Sequence, residues 1–341
     1  MNASPKPIAE WHNVDAALFE ADIAPRFQPA VLRGLVRSWP AAQAAQASDE
    51  AAAAYLLRHD RGHVVEAFVA PPEVNGRFFY APDMARFNFE RRQAPFADLV
   101  RFLFKNRDIP GAPGVYSGAA ALPECLPTFG AENVLPLLHG KAAVPRIWIG
   151  NTSTVATHFD LSDNVACVVA GRRRFTVFPP EQLPNLYVGP LDHTMAGQPA
   201  SMVSLDAPDF ERFPRFREAL AAAQTAELGP GDAIYIPSPW WHCVEALSPF
   251  NVLVNYWWEQ GAEDAGSPLE AMVHGIMAVG ALPEGQRQAW RAFFDHYVFK
   301  TEGEPADHLD PRVRGILGSS TPQLRARIRQ FLLRGLGQRS Q

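Results

Sequence analysis

Residues 146–180 read RIWIGNTSTVATHFDLSDNVACVVAGRRRFTVFPP, and at their centre stands the triplet His158-Phe159-Asp160. In an extended segment residues i and i+2 project to the same face, so His158 and Asp160 can hold one ion together while Phe159 points away. Further on, Gly171 is suited to turning a hairpin. Beyond it Arg173, Phe175 and Val177 share one face of a strand, and Arg174 and Thr176 share the other.

One imidazole and one carboxylate leave a metal short of a facial set, so a third ligand has to come from elsewhere in the chain. The candidate is His242, which closes the segment LGPGDAIYIPSPWWHCVEAL. There Gly229-Pro230-Gly231-Asp232 reads as a tight turn and Ala233 to Ile236 as a short strand. Two His and one carboxylate on one side of an octahedron leave open positions, the arrangement of non-haem Fe(II) oxygenases. A lone His-x-Asp is also what a hydrogen-bonded core histidine or a turn would show.

The surroundings are more specific. THFD, GRRRFTVFPPEQLPNLY, ERFPRF, GPGDAIYIPSPWWH and NVLVNYWW follow one another between Arg146 and Trp258. Together they resemble the jumonji-C-type, cupin-like Fe(II)/2-oxoglutarate oxygenases, and within these are most similar to the asparaginyl hydroxylases that inhibit hypoxia-inducible factor. The resemblance is strong over about a third of the chain. It implies His158, Asp160 and His242 as ligands of Fe(II), 2-oxoglutarate as co-substrate, and Asn164 and Asn255 as polar groups beside that co-substrate. Trp257, in the closing strand, is counted with them. Relatives carry a Lys for the distal carboxylate of 2-oxoglutarate where this chain has Arg173, whose planar fork suits a carboxylate. Arg172 and Arg174 read as solvated. Tyr116 stands where relatives place a tyrosine whose hydroxyl meets 2-oxoglutarate, although an ordinary half-buried aromatic would look the same.

Composition bounds the class. Of 341 residues 47% are hydrophobic and 20% charged, enough for a sizeable core. With Lys+Arg 31 against Asp+Glu 36 and a net charge of −5, the chain has no global basic field, so a nucleic-acid partner is not expected. Cys125, Cys167 and Cys243 form no C-x-x-C pair, which argues against a disulfide framework or a zinc module. No secretory h-region or long apolar run appears, so a cytoplasmic protein without a membrane partner is expected.

Residues 1–130 read as a mixed α/β lead-in packing on a barrel. Asp15 caps a short helix, Pro29 to Gly34 forms a buried strand, Ala41 to Arg58 is helical by propensity, and Pro95 to Phe104 carries apolar residues at helical spacing. Residues 131–260 form the catalytic core, with an insert at 182–226 read as a rim or lid; its Phe213 to Ala223 portion is helical, and its His193 is taken as an exposed loop residue. Residues 261–341 are helical. Leu269, Met272, Val273, Ile276 and Met277 form one stripe, and Trp290, Phe293, Phe294, Tyr297 and Val298 a second. Such surface, added to a closed barrel, points to a homodimer.

The expected architecture is mainly β with flanking helices: a double-stranded β-helix of the cupin, jelly-roll type. The expected activity is a 2-oxoglutarate-dependent hydroxylase acting on a protein or peptide side chain or on a small molecule. Two other readings stay open, a non-catalytic ligand-binding or sensor cupin and a metal-dependent cupin enzyme that does not use 2-oxoglutarate.

Overall fold

The quoted stretch supplies four consecutive strands, β1 (Val144–Gly150), β2 (Ser153–Phe159), β3 (Asp163–Ala170) and β4 (Arg173–Phe178). After the insert come β5 (Gln224–Leu228), β6 (Ala233–Ile236), β7 (Trp241–Ala246) and β8 (Asn251–Trp258). These are taken from a computed structural model that describes residues 5–195 and 197–337. Strands β5, β4, β7 and β2 lie side by side in one sheet, and β6, β3, β8 and β1 in the other, with every pair antiparallel. Except at β4 and β5, consecutive strands alternate between the sheets. The fold is a double-stranded β-helix.

The lead-in extends these sheets. Lys6–Pro7 runs beside β5 and Arg77–Phe78 beside β2, while Ala30–Arg33 pairs with β6 and Gly114–Ala121 with β1. This explains why β3 shows no polar-out alternation: all eight of its residues are buried. Ala166 and Val168 pack inside the barrel with Phe175, Ile234 and Ile236. Val165, Cys167 and Val169 face the opposite way, into a layer holding Phe19, Ala42, Leu99 and Val100. A strand covered on both faces is apolar along its length, and β3 departs from this only at its start, where Asp163 and Asn164 lie.

Local chemistry sets the remaining boundaries. Gly171 has φ +72°, and a side chain there would run into Asn251 and the Phe250 carbonyl, so this turn needs glycine. The Ala-rich stretch is two helices, Pro40–Ala47 and Asp49–His59. Ser48 between them is extended, and its hydroxyl caps the second helix at the Ala51 N–H (3.1 Å). In the insert, helix begins only at Phe216 and runs to Ala222. Before it, at the insert's middle, Ala200 bridges His158 and the Ser201 N–H donates to the Thr157 carbonyl (2.7 Å). The insert is therefore stitched to the edge of β2 beyond the part that Arg77–Phe78 covers.

The chain divides into two compact units, Met1–Trp258 and Glu259–Gln341. In the second unit the apolar stripes fall on helices Pro268–Ala278 and Glu284–Tyr297, followed by Pro322–Gly337. None of these helices has a buried residue. Among the described residues no helix is long and apolar enough to cross a membrane.

Candidate metal centre

His158 and His242 face each other across the β2–β7 ladder as a registered pair, with a bulge in the ladder just past His242. Their ring centroids are 4.4 Å apart. Asp160 follows β2 directly, with Oδ1 4.0 Å from His158 Nε2 and Oδ2 3.6 Å from His242 Nε2. One ligand atom from each residue lies within 4.8 Å of the others.

Each imidazole is oriented through its other nitrogen. His158 Nδ1 meets the Ala156 carbonyl at 2.8 Å, and His242 Nδ1 meets the Trp240 carbonyl at 3.1 Å. A carbonyl can only accept, so both Nδ1 atoms carry the proton and both Nε2 lone pairs point at the shared space. Burial, reinforced by the neighbouring His158, pulls the His242 pKa down to about 4, against a partial opposing pull from Asp160. At neutral pH it is uncharged, as a metal-binding imidazole has to be.

Asp160 is held as firmly. Its Oδ2 accepts from Asn164 Nδ2 (3.1 Å) and from Trp257 Nε1 (3.0 Å). Behind Asn164 the chain of bonds continues: Asn255 Nδ2 donates to Asn164 Oδ1 (3.3 Å), and Trp148 Nε1 donates to Asn255 Oδ1 (2.8 Å). The Ser238 hydroxyl, on the turn leading into β7, donates to the Asp160 carbonyl at 2.9 Å and ties the two ligand-bearing segments together. This donor set fits a divalent transition metal taken by two imidazoles and a carboxylate.

All eight residues singled out from the sequence line one cavity of about 120 Å³: the candidate ligands His158, Asp160 and His242, with Tyr116, Asn164, Arg173, Asn255 and Trp257. Asn164, Asn255 and Trp257 reach Asp160 directly or through one another, so their first visible task is to hold that carboxylate. Arg173 enters from β4 on the face shared with Phe175 and Val177, which pack in the barrel interior. It is 7% exposed, and its Nε has no partner. Burial lowers its pKa to about 10, which still leaves a cation at neutral pH. Among the described residues nothing hydrogen-bonds or ion-pairs with this guanidinium, and a buried unpaired charge costs several kcal/mol. A cavity holding such a group fits an acidic ligand, as the distal carboxylate of 2-oxoglutarate would be.

Arg172 and Arg174 turn the other way. Arg174 pairs with Glu227 at 2.6 Å and Glu245 at 3.3 Å on the outer face, and Arg172 is 4.0 Å from Glu227. Tyr116 stacks on Phe68 at 4.8 Å and meets Phe78 edge-on at 4.6 Å. Burial raises its hydroxyl pKa well above the usual phenol range, so it stays protonated.

A family model for the cupin-like domain matches residues 16–264. The chain belongs to the cupin-like family. Among curated relatives of this cupin-like chain, the lysine-specific demethylase JMJ31 of Arabidopsis thaliana is 28% identical over 276 residues, which is 72% of this chain and 48% of that protein. The human HSPB1-associated protein 1 is 33% identical over 165 residues, 48% of this chain and 32% of the relative. The tRNA wybutosine-synthesizing protein 5 of Gallus gallus is 34% identical over 103 residues, 30% of this chain and 29% of the relative. The chain thus spans less than half the length of each.

Two groups at the site escaped the sequence reading. Trp148 had a signal, since alternation in Ile147-Trp148-Ile149 places it on the inward face opposite two core isoleucines. Gln198 had none, because it lies in the insert, where no periodicity applies. His193 is also not the exposed loop residue expected: its ring stacks on Phe87 at 4.9 Å, and its Nε2 is buried without a partner.

Proposed function

We propose that this cupin-like protein is a 2-oxoglutarate-dependent Fe(II) oxygenase that hydroxylates an unactivated C–H bond of its substrate. The observation that carries this reading is the conjunction, in one cavity, of a preoriented two-His, one-Asp set with an unpaired buried guanidinium. A metal-dependent cupin enzyme without 2-oxoglutarate would need the first but would have no use for the second. A ligand-binding cupin without catalysis would need no preoriented set.

When bound, ferrous iron would supply the site at which dioxygen, the oxidant, gives one oxygen atom to 2-oxoglutarate, leaving succinate and CO2, and the other to the substrate C–H bond. The residues of the chain prepare for this. His158, Asp160 and His242 would hold iron on one side only, which leaves positions for the keto acid and for oxygen. Arg173 would take the distal carboxylate in a charge-assisted pair. Ile236, Leu253 and Phe175 wall the cavity and exclude water. The named relatives include a lysine demethylase and a tRNA-modifying protein, and demethylation can proceed through the same C–H hydroxylation. The resemblance to asparaginyl hydroxylases favours plain hydroxylation of a protein side chain, with a small molecule as the other substrate type.

The exposed apolar stripes of residues 268–298 are read as the surface on which two copies of the chain meet. The test of the activity is succinate formation from 2-oxoglutarate with ferrous iron. It should appear in the parent and vanish in Asp160→Ala; succinate formed equally by both would refute the assignment.

A further inference from the structure

Asp160 Oδ2 accepts from two donors, and both lead back to one side chain. The first arm runs through amides. Asn164 Nδ2 donates to Asp160 Oδ2 (3.1 Å), Asn255 Nδ2 to Asn164 Oδ1 (3.3 Å), and Trp148 Nε1 to Asn255 Oδ1 (2.8 Å). The second arm is Trp257, whose Nε1 donates to the same carboxylate oxygen (3.0 Å) and whose ring meets Trp148 edge-on, with centroids 6.0 Å apart. Trp148, Asn255, Asn164, Asp160 and Trp257 thus close a ring of contacts with one candidate ligand in it. The neighbouring strand, Gly114–Ala121, makes room for the indole: a side chain at Gly118 would begin 2.7 Å from the Trp148 ring.

The direction of the amide arm follows from its two ends. An indole N–H can only donate, and an ionised carboxylate can only accept. Trp148 therefore requires Asn255 to turn Oδ1 toward it, which sends Asn255 Nδ2 to Asn164 Oδ1 and leaves Asn164 Nδ2 for Asp160. Bonds in such a chain polarise one another. Asn255 is buried, so without the Trp148 N–H its Oδ1 would lack a donor and the amide would gain by turning over, which breaks the arm at its middle. At the far end, a carboxylate oxygen offers two lone-pair directions, and both of those on Oδ2 are taken. Oδ1 is the oxygen left for an ion.

We infer that Trp148 is a positioning residue for the metal centre: it supports both N–H donors on Asp160 Oδ2 and thereby fixes which carboxylate oxygen faces the ion. This rests on the metal-binding part of the proposed function and is independent of 2-oxoglutarate.

The experiment is a double-mutant cycle on the full chain, with zinc binding measured by calorimetry. Trp148→Phe keeps an aromatic ring beside Trp257 and removes the N–H, and Asn255→Leu removes the amide that receives it. Each should weaken zinc binding about tenfold, the lower end of what an outer-shell partner is worth. Because Trp148 acts through Asn255, the two changes together should cost about as much as one. A packing role alone would give independent losses, about a hundredfold for the pair. Such additivity, or unchanged affinity in Trp148→Phe, would overturn the inference. A second measurement needs no change at Trp148. Zinc should displace the Trp148 indole N–H resonance of the parent, identified by its cross-peak to the Asn255 amide, because charge drawn from Asp160 weakens the bonds along the arm. Most of that displacement should be lost in zinc-saturated Asn164→Ala. A resonance that ignores zinc in the parent, or that shifts equally in Asn164→Ala, would also refute it. The wider reading is tested separately. A parent that binds no zinc would remove the metal site and this inference together, whereas a non-additive cycle without succinate formation from ferrous iron and 2-oxoglutarate would end the oxygenase reading and leave the role of Trp148 standing.

Discussion

The two compact units of the chain are unsatisfied in opposite senses. In the first unit, polar atoms are buried without partners: Arg173 Nε and Gln198 Oε1 belong to residues that line the candidate metal cavity. On the C-terminal helices, large apolar groups stand in water: Val273 is 49% exposed, Ile276 53%, Met277 62% and Phe293 54%. Each mismatch is a cost that a folded chain does not keep without a return. On the reading proposed above, small polar ligands would relieve the first and an apolar surface of another chain the second, and the two kinds of partner can be separated by experiment.

The largest effect should come from the ligands themselves. His158→Ala, Asp160→Ala and His242→Ala should each weaken zinc binding, measured calorimetrically, by more than the roughly 10–100-fold typical of losing an outer-shell partner, while Trp257→Phe and Asn164→Ala should fall within that range. Equal losses from all five would show that the Asp160 network is itself part of the ligand set. At the C-terminal unit, light scattering should find a dimer of the full chain, and the double change Ile276→Asp with Phe293→Asp should convert it to a monomer that still binds zinc. A monomeric parent would end the homodimer proposal and leave the exposed stripes to a different partner.

Smaller, and more diagnostic, is the co-substrate anchor. A charge-assisted pair in a dry cavity is worth about 1.5–3 kcal/mol, so Arg173→Ala should raise the 2-oxoglutarate requirement about tenfold to a hundredfold with metal affinity nearly unchanged. Arg173→Lys should recover part of this loss. Arg174→Ala, whose parent side chain pairs with Glu227 and Glu245 on the outer face, should behave like the parent. Sensitivity at Arg174 in place of Arg173 would reverse the facing of β4.

The smallest effect is one of pH. His242 has an ordinary pKa of 6.5 that burial lowers to about 4. As pH falls through 6.5 the unfolded chain takes up a proton that the folded, metal-free chain refuses until about pH 4, so the stability from keeping this group neutral is full above 6.5 and drains away between those values. Thermal melts of metal-free protein from pH 7.5 to 4.5 should therefore show a steeper fall for the parent than for His242→Gln. Parallel curves would mean that the ring is not kept neutral.

The barrel was legible because its strands are short, its turns carry their own chemistry at Gly171 and Gly231, and the i, i+2 rule placed His158 with Asp160 and Arg173 with Phe175 without knowledge of the fold. What pairs across the sheets was less so. That Trp148 and Asn255 hold Asn164, which in turn holds Asp160, depends on β1 lying beside β8 and β8 beside β3, contacts between residues about a hundred positions apart. The Ser48 break in the first helical stretch could have been read from its capping sequence, since Ser-Asp-Glu favours a new start over continuation. The insert stayed opaque because neither helical nor strand periodicity governs residues 186–210, and Gln198 and His193 take their surroundings from neighbours distant in sequence.

The stitch between the insert and β2 divides that insert into parts with different freedom to change. Its root, Ala200 and Ser201, hydrogen-bonds alongside Thr157 and His158, so an insertion or deletion there would drag on a ligand-bearing strand. Farther out, His193 leans on the lead-in instead, its ring stacked on Phe87 and its carbonyl accepting from the Tyr80 hydroxyl. Changes around His193 can therefore accumulate with less strain on His158 and its strand than changes at the root.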